Sequence, residues 1–129
     1  MVGLVIVSHS NKLAEGVREV ASQMASEVNI ECAGGTYDGS LGTDIEKIKE
    51  AIRNAYSDDG VVILFDLGSS MMNTEMAIEF LDENLRKNIR MLDAPLVEGA
   101  VVAAVDSSIG KSLEEIVDEL NKMRISKKN

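Results

Sequence analysis

Short unbroken apolar runs alternate along this chain with longer stretches in which apolar residues recur every three or four positions. The first pattern marks strands buried on both faces, the second amphipathic helices. Residues 4–8 are apolar and partly β-branched and read as a first strand. Asn11 is placed to cap a helix reaching about Ser26, with Leu13, Val17, Val20, Ala21 and Met24 at helical spacing. Residues 29–33 read as a short second strand, followed by a glycine-rich loop over 34–42. Thr43, with Glu46 three positions on, has the form of a capping box before a helix carrying Ile45, Ile48, Ile52 and Ala55. Asp58-Asp59-Gly60 is a turn into Val61–Phe65, the most hydrophobic strand of the chain. A helix is expected over about 71–85, a fourth strand at Ile89–Leu92, and a helix opened by Pro95 and broken by Gly110. Ser112 caps a last helix with Leu113, Ile116, Val117, Leu120 and Met123 on one side.

Only residues 97–105 are open to both readings. The run Ala100-Val101-Val102-Ala103-Ala104-Val105 has the look of a buried strand, but Pro95, Glu98 and the alanines favour a helix. The plan is therefore βαβαβαβ. It predicts an α/β fold with an open, mainly parallel four-stranded sheet and helices on both faces. Residues 1–129 form a single domain, with a lysine-rich tail expected to fray from about 125.

Composition narrows the function classes. With 13 Lys and Arg against 22 Asp and Glu, the net charge of −9 argues against nucleic acid and is compatible with a basic protein partner. No apolar run approaches the ~18 residues of a membrane-spanning helix. The N-terminus lacks the pattern of a secretory signal, and Cys32 is the only cysteine, which fits a cytoplasmic protein. Aromatic residues are 3% of the chain, too few for extended stacking platforms.

Ligands of open parallel sheets bind at the carboxyl ends of the strands. Three polar clusters fall on that edge. His9, the only histidine, follows the first strand between Ser8 and Ser10; the 34–42 loop follows the second; Asp66 and Gly68-Ser69-Ser70 follow the third. A histidine in water titrates near ~6.5, so its neutral form is abundant at pH 7 and serves as nucleophile, base or metal ligand. A carboxylate such as Asp66 is suited to hold one ring nitrogen as N–H, leaving the other lone pair free. The Gly68-Ser69-Ser70 turn enters a helix, where amides and hydroxyls make an anion cradle. Ser10, Ser40 and Thr43 are further candidate donors.

Each feature also has an ordinary explanation: a hydrogen-bonded surface histidine, a helix-capping aspartate, common turn residues, and methionines (Met71, Met72, Met76) that fill core or line a helix face. Their convergence on one edge supports an anion site with a reactive histidine. One His and one Cys are too few for a zinc site. Walker and GxGxxG phosphate loops are absent. A hydrolase built on Ser69 or Ser70, His9 and Asp66 lacks the GxSxG elbow.

Three segments carry a more specific resemblance: Val5-Ile6-Val7-Ser8-His9-Ser10 with Leu13-Ala14-Glu15-Gly16, then Leu64-Phe65-Asp66-Leu67-Gly68-Ser69-Ser70-Met71-Met72-Asn73, then Ala94-Pro95-Leu96-Val97-Glu98-Gly99-Ala100. In order and spacing they resemble the DhaM family, the phosphotransferase subunits of phosphoenolpyruvate-dependent dihydroxyacetone kinases, which share the mannose-type IIA fold of the sugar phosphotransferase system. Sugar-transporter IIA domains of this fold usually begin Thr-His-Gly and differ in the third-strand turn.

The resemblance implies that His9 accepts a phosphoryl group from the carrier HPr. His9 then passes it to ADP, held with magnesium on a nucleotide-binding kinase subunit. Asp66 would orient the imidazole, and Gly68, Ser69, Ser70 and Ser10 would stabilise the phosphoryl group. The chain itself would bind no cofactor or metal, and it would form a homodimer. Alternatives are a IIA component of a mannose-family sugar transporter and a non-catalytic anion-sensing module.

Overall fold

The computed structural model describes residues 1–128 and comprises four strands and six helices among them. In chain order they are β1 (Gly3–Ser8), α1 (Asn11–Met24), β2 (Ile30–Gly34), α2 (Ile45–Ala55), β3 (Val61–Phe65), α3 (Ser69–Glu79), α4 (Glu83–Arg86), β4 (Ile89–Leu92), α5 (Leu96–Ser108) and α6 (Leu113–Asn121). The strands form one parallel sheet in the order β2-β1-β3-β4. The expected α/β architecture is the one observed.

Every residue of β1 and β3 is buried, because each strand feeds two cores. Leu4 and Ile6, with Val62 and Leu64, pack under α1, α5 and α6. Val5 and Val7, with Val61, Ile63 and Phe65, pack under α2 and α3. The chain leaves β1 towards β2 on one side, while β3 lies on the other. The carboxyl ends of β1 and β3 therefore flank the point where connections diverge, where open α/β sheets form crevices.

The helix ends differ from the sequence expectation in ways that matter to the site. Ser10, not Asn11, caps α1: its Oγ accepts the Leu13 amide at 3.2 Å. Asp44, not Thr43, caps α2, accepting the amides of Glu46 and Lys47 at 2.8 and 3.3 Å. The helix expected over 71–85 begins earlier, at Ser69, and is interrupted. Leu81 turns into the second core, and Asp82, in an extended conformation, restarts the helix as α4.

The ambiguous 97–105 segment is helical. Its alanines, rather than its valines, face the sheet: Ala100, Ala103 and Ala104 are buried, whereas Val97 is exposed. A helix drawn this close has room only for small side chains. A Cβ on Gly99 would already lie 3.1 Å from Ala94 and 3.3 Å from Leu64. The same holds in α1, where Ala14, Val17 and Ala21 are buried and Leu13, Val20 and Met24 are exposed.

Over its described length the tail is hydrogen-bonded to the body of the fold. The Ile125 amide bonds the Asp93 carbonyl, and the Lys127 amide bonds the Asp93 carboxylate. The Lys128 carbonyl accepts the Gly68 amide at 2.9 Å. Asn129 lies outside the described residues.

Candidate active site: a histidine braced at the sheet edge

β1 ends at Ser8, and the next residue, His9, projects at the carboxyl edge with 27% of its side chain exposed. Its backbone is fixed from two sides. The His9 amide donates to Asp66 Oδ2 at 2.9 Å, and its carbonyl accepts the Gly42 amide at 2.8 Å. Gly42 has a φ of +135°, which favours glycine and lets the β2–α2 loop fold back onto His9. Gly34, at the end of β2, allows another close approach: a Cβ there would lie 2.6 Å from Asn11 Cα. The start of α1 is thereby drawn onto the strand edge beside His9.

Asp66 directly follows β3 and organises the site. Its Oδ2 accepts the Ser8 hydroxyl and the His9 amide, both at 2.9 Å. Its Oδ1 accepts the Leu67 amide at 2.7 Å and faces His9 Nδ1 at 3.0 Å. Burial by itself would raise the Asp66 pKa. The hydrogen bonds from the His9 amide and ring, the Ser8 hydroxyl and the Leu67 amide outweigh it and hold the carboxyl below its usual value.

An ionised carboxylate only accepts, so His9 Nδ1 carries a proton, and in the neutral ring Nε2 then holds the lone pair. Ser69 Oγ lies 2.8 Å from that nitrogen and donates to it. The result is an imidazole braced at Nδ1 by an anion, whose outward nitrogen is covered by one exposed hydroxyl.

The other candidate residues are placed as follows. Ser70 is fully buried, and its Oγ donates to the Leu67 carbonyl at 2.6 Å, so it locks the turn. The Gly68 amide is engaged by the Lys128 carbonyl, which corrects the expectation of a free donor there. The Ser70 and Met71 amides bond Leu67 and Gly68 carbonyls. Among the described residues, the Ser69 amide, in the first turn of α3, has no hydrogen-bond partner. Ser10 Oγ serves as the α1 cap. Thr43 Oγ1 accepts from Asn73 Nδ2 at 2.6 Å and ties the second loop to α3. Ser40 and Thr43 line a separate surface recess with Thr36, Tyr37, Asp38 and Asp44, and neither is bonded to the His9 ring. Cys32, the only cysteine, has its thiol pushed up to about 12 by burial and by Glu15.

Sequence reasoning missed Ser8, although a serine ending an all-apolar strand beside a histidine was a usable signal. It also missed Asn73 and Gly42 as braces, and Lys127 and Asp93, whose proximity only the fold reveals.

Residues 3–117 match the family model EIIA-man, described as the PTS system fructose IIA component. The chain belongs to this family. Among curated EIIA-man-like relatives, one from Listeria innocua serovar 6a is named PEP-dependent dihydroxyacetone kinase 2, phosphoryl donor subunit DhaM. It is 41% identical over 121 residues, covering 93% of this chain and 97% of its own. A Lactococcus lactis relative, named PTS-dependent dihydroxyacetone kinase, phosphotransferase subunit DhaM, is 34% identical and covered over 97% and 98% of the two chains. An Escherichia coli DhaM is 39% identical, but this chain covers 26% of that longer protein. The crystal structure of an unknown-function protein, EF1359, superposes over 100% of both chains with a TM-score of 0.85 and 35% identity.

Proposed function

We propose that this EIIA-man chain is the phosphoryl donor subunit of a PEP-dependent dihydroxyacetone kinase, carrying the phosphoryl group on His9. The observation that supports it best is the His9 ring itself, with Nδ1 held by Asp66 at 3.0 Å and Nε2 directed outward. The names of the relatives supply the substrate class.

In this reading the Nε2 lone pair attacks the phosphorus of phospho-HPr. The N–P bond of the donor breaks and its electron pair returns to the donor imidazole. His9 keeps its Nδ1 proton and becomes cationic, and the Asp66 carboxylate stabilises that charge. The Ser69 hydroxyl, displaced from Nε2, turns to donate to a phosphoryl oxygen, and the Ser69 amide joins it. Transfer of this kind asks mainly for alignment and charge stabilisation. The second transfer goes to ADP held with magnesium on the nucleotide-binding subunit, so this chain needs no nucleotide or metal of its own. Among the described residues no helix is long and apolar enough to cross a membrane. We assign the protein to the cytoplasm on its pairing with HPr. The exposed apolar residues Leu13, Val20 and Met24 of α1 and Val97 of the adjoining α5 are the surface a second copy would cover in a homodimer.

The test is phosphorylation with phosphoenolpyruvate, enzyme I and HPr. The wild-type chain takes up acid-labile phosphate, the His9→Ala variant takes up none, and the nucleotide-binding subunit with magnesium and ADP discharges it. An unmodified wild-type chain overturns the proposal. A second reading, a sugar-transporter IIA component, is favoured by the family model's description as a fructose IIA component. It predicts phosphorylation of His9 without discharge to ADP.

A further inference from the structure

Lys127 has only 5% of its side chain exposed, although lysine is almost never buried without partners. It has three. Its Nζ donates to the Phe65 carbonyl, sits 4.0 Å from the centroid of the Phe65 ring, and lies 3.8 Å from Asp93 Oδ1. Phe65 is the last residue of β3, immediately before Asp66. The next residue of the tail, Lys128, takes the amide of Gly68 on the far side of the same turn. Ser126, between the Ile125 and Lys127 anchors, adopts a φ of +56°, the only non-glycine left-handed residue described. That kink turns the lysine inward. The tail thus grips the 65–68 turn at both ends, and this turn carries Asp66 and leads into Ser69.

An apolar side chain would fill the same space without dehydrating an ammonium. The charge also fits the chemistry. The site already holds the Asp66 anion and would receive a phosphoryl group of further negative charge, in a protein of net charge −9. Burial lowers the Lys127 pKa, whereas Asp93 and Asp66 oppose that shift. Through the Phe65 carbonyl, the ammonium sits one residue before Asp66 in the chain.

We propose that Lys127 is a positioning residue for phosphoryl transfer at His9. The 125–128 strap clamps the 65–68 turn so that Asp66 and Ser69 stay registered on the imidazole, and the buried ammonium supplies positive charge behind Asp66. The part concerning transfer rests on the proposed role of His9; the clamp itself does not.

The test uses the full chain with Lys127→Met, which keeps an apolar stem and removes the charge, and a second variant ending after Arg124. Two measurements are independent of phosphorylation. In wild type the ¹⁵N spectrum of His9 should show one tautomer, protonated at Nδ1, and the Gly68 amide should exchange slowly. Both variants should populate the other tautomer, and the truncated one should exchange Gly68 about tenfold faster or more. With phospho-HPr as donor, both variants should lose about tenfold or more in kcat while KM for the donor stays within about twofold. Wild-type kcat in both variants, an unchanged His9 tautomer, or a rise in KM with kcat preserved overturns the proposal. If wild type itself takes no phosphate, the role of His9 fails, while the tautomer and the Gly68 exchange still decide whether the strap positions the site.

Discussion

Ser8 and Asp66, 58 residues apart in sequence, are joined by a 2.9 Å hydrogen bond from Ser8 Oγ to Asp66 Oδ2. The same oxygen takes the His9 amide, which leaves Oδ1 for the imidazole and the Leu67 amide. One carboxylate thus fixes the end of β1, the turn after β3 and the tautomer of His9. Its replacement separates these roles.

Asp66→Asn keeps the shape but loses the anion that, in the proposed transfer, stabilises a cationic phospho-imidazole. Phosphate uptake from phospho-HPr should fall about a hundredfold or more. The fold should persist, as circular dichroism would register. Uptake at the wild-type rate would show that Asp66 does not orient the ring.

The depressed Asp66 pKa has a signed consequence for stability. The folded state binds this proton less readily than the unfolded one, so the contribution is present above the unfolded value of ~3.9 and is lost as pH falls through the lower folded value. Urea midpoints of wild type and Asp66→Asn should therefore converge as pH is lowered from about 5 through that window. A constant difference would contradict the assignment.

Ser69→Ala removes the hydroxyl that covers Nε2 and, in the proposed transfer, stabilises the phosphoryl oxygens. Uptake should slow by about ten- to a hundredfold, and the phosphorylated form should hydrolyse faster. Ser70→Ala should instead lower thermal stability, because its hydroxyl is committed to the Leu67 carbonyl. Timed acid-labile phosphate assays and melting curves separate the two effects.

Gly34→Ala should destabilise the fold by about 1–3 kcal/mol. The added methyl meets backbone, Asn11 Cα at 2.6 Å and Ser10 O at 2.8 Å, which cannot swing aside like a side chain. Chemical denaturation measures the loss, and the displaced start of α1 should also perturb the His9 amide resonance.

Val20→Asp should convert the proposed dimer of 13.9 kDa chains into a monomer without affecting the folded state, since Val20 faces solvent in the single chain. Light scattering after gel filtration reads the mass. A monomeric wild type would refute the dimer.

Much of the fold was legible because its strands are strongly hydrophobic and its helices periodic. Residues 4–8 and Val61–Phe65 leave little choice but burial on both faces, and that placement brings His9 and Asp66 to one edge. The misreadings have physical causes. Several polar residues competed for each helix start, and only the observed backbone shows that Ser10 and Asp44 take the caps. In α1, helical spacing picked out Leu13, Val20 and Met24 together with Val17 and Ala21, but close packing buries the smaller ones and leaves the other three exposed. Lys127 was illegible altogether, because a basic residue near a chain end reads as solvated until the strand end it reaches is known.

The imidazole of His9 offers a single doorway. Asp66 walls off Nδ1, so on the proposed reading whatever loads the ring and whatever unloads it must come to the same nitrogen across the same threshold. Donor and acceptor therefore take turns. Kinetics should be ping-pong, an excess of either partner should inhibit by crowding out the other, and traffic at the doorway can limit turnover even when the transfers themselves are fast.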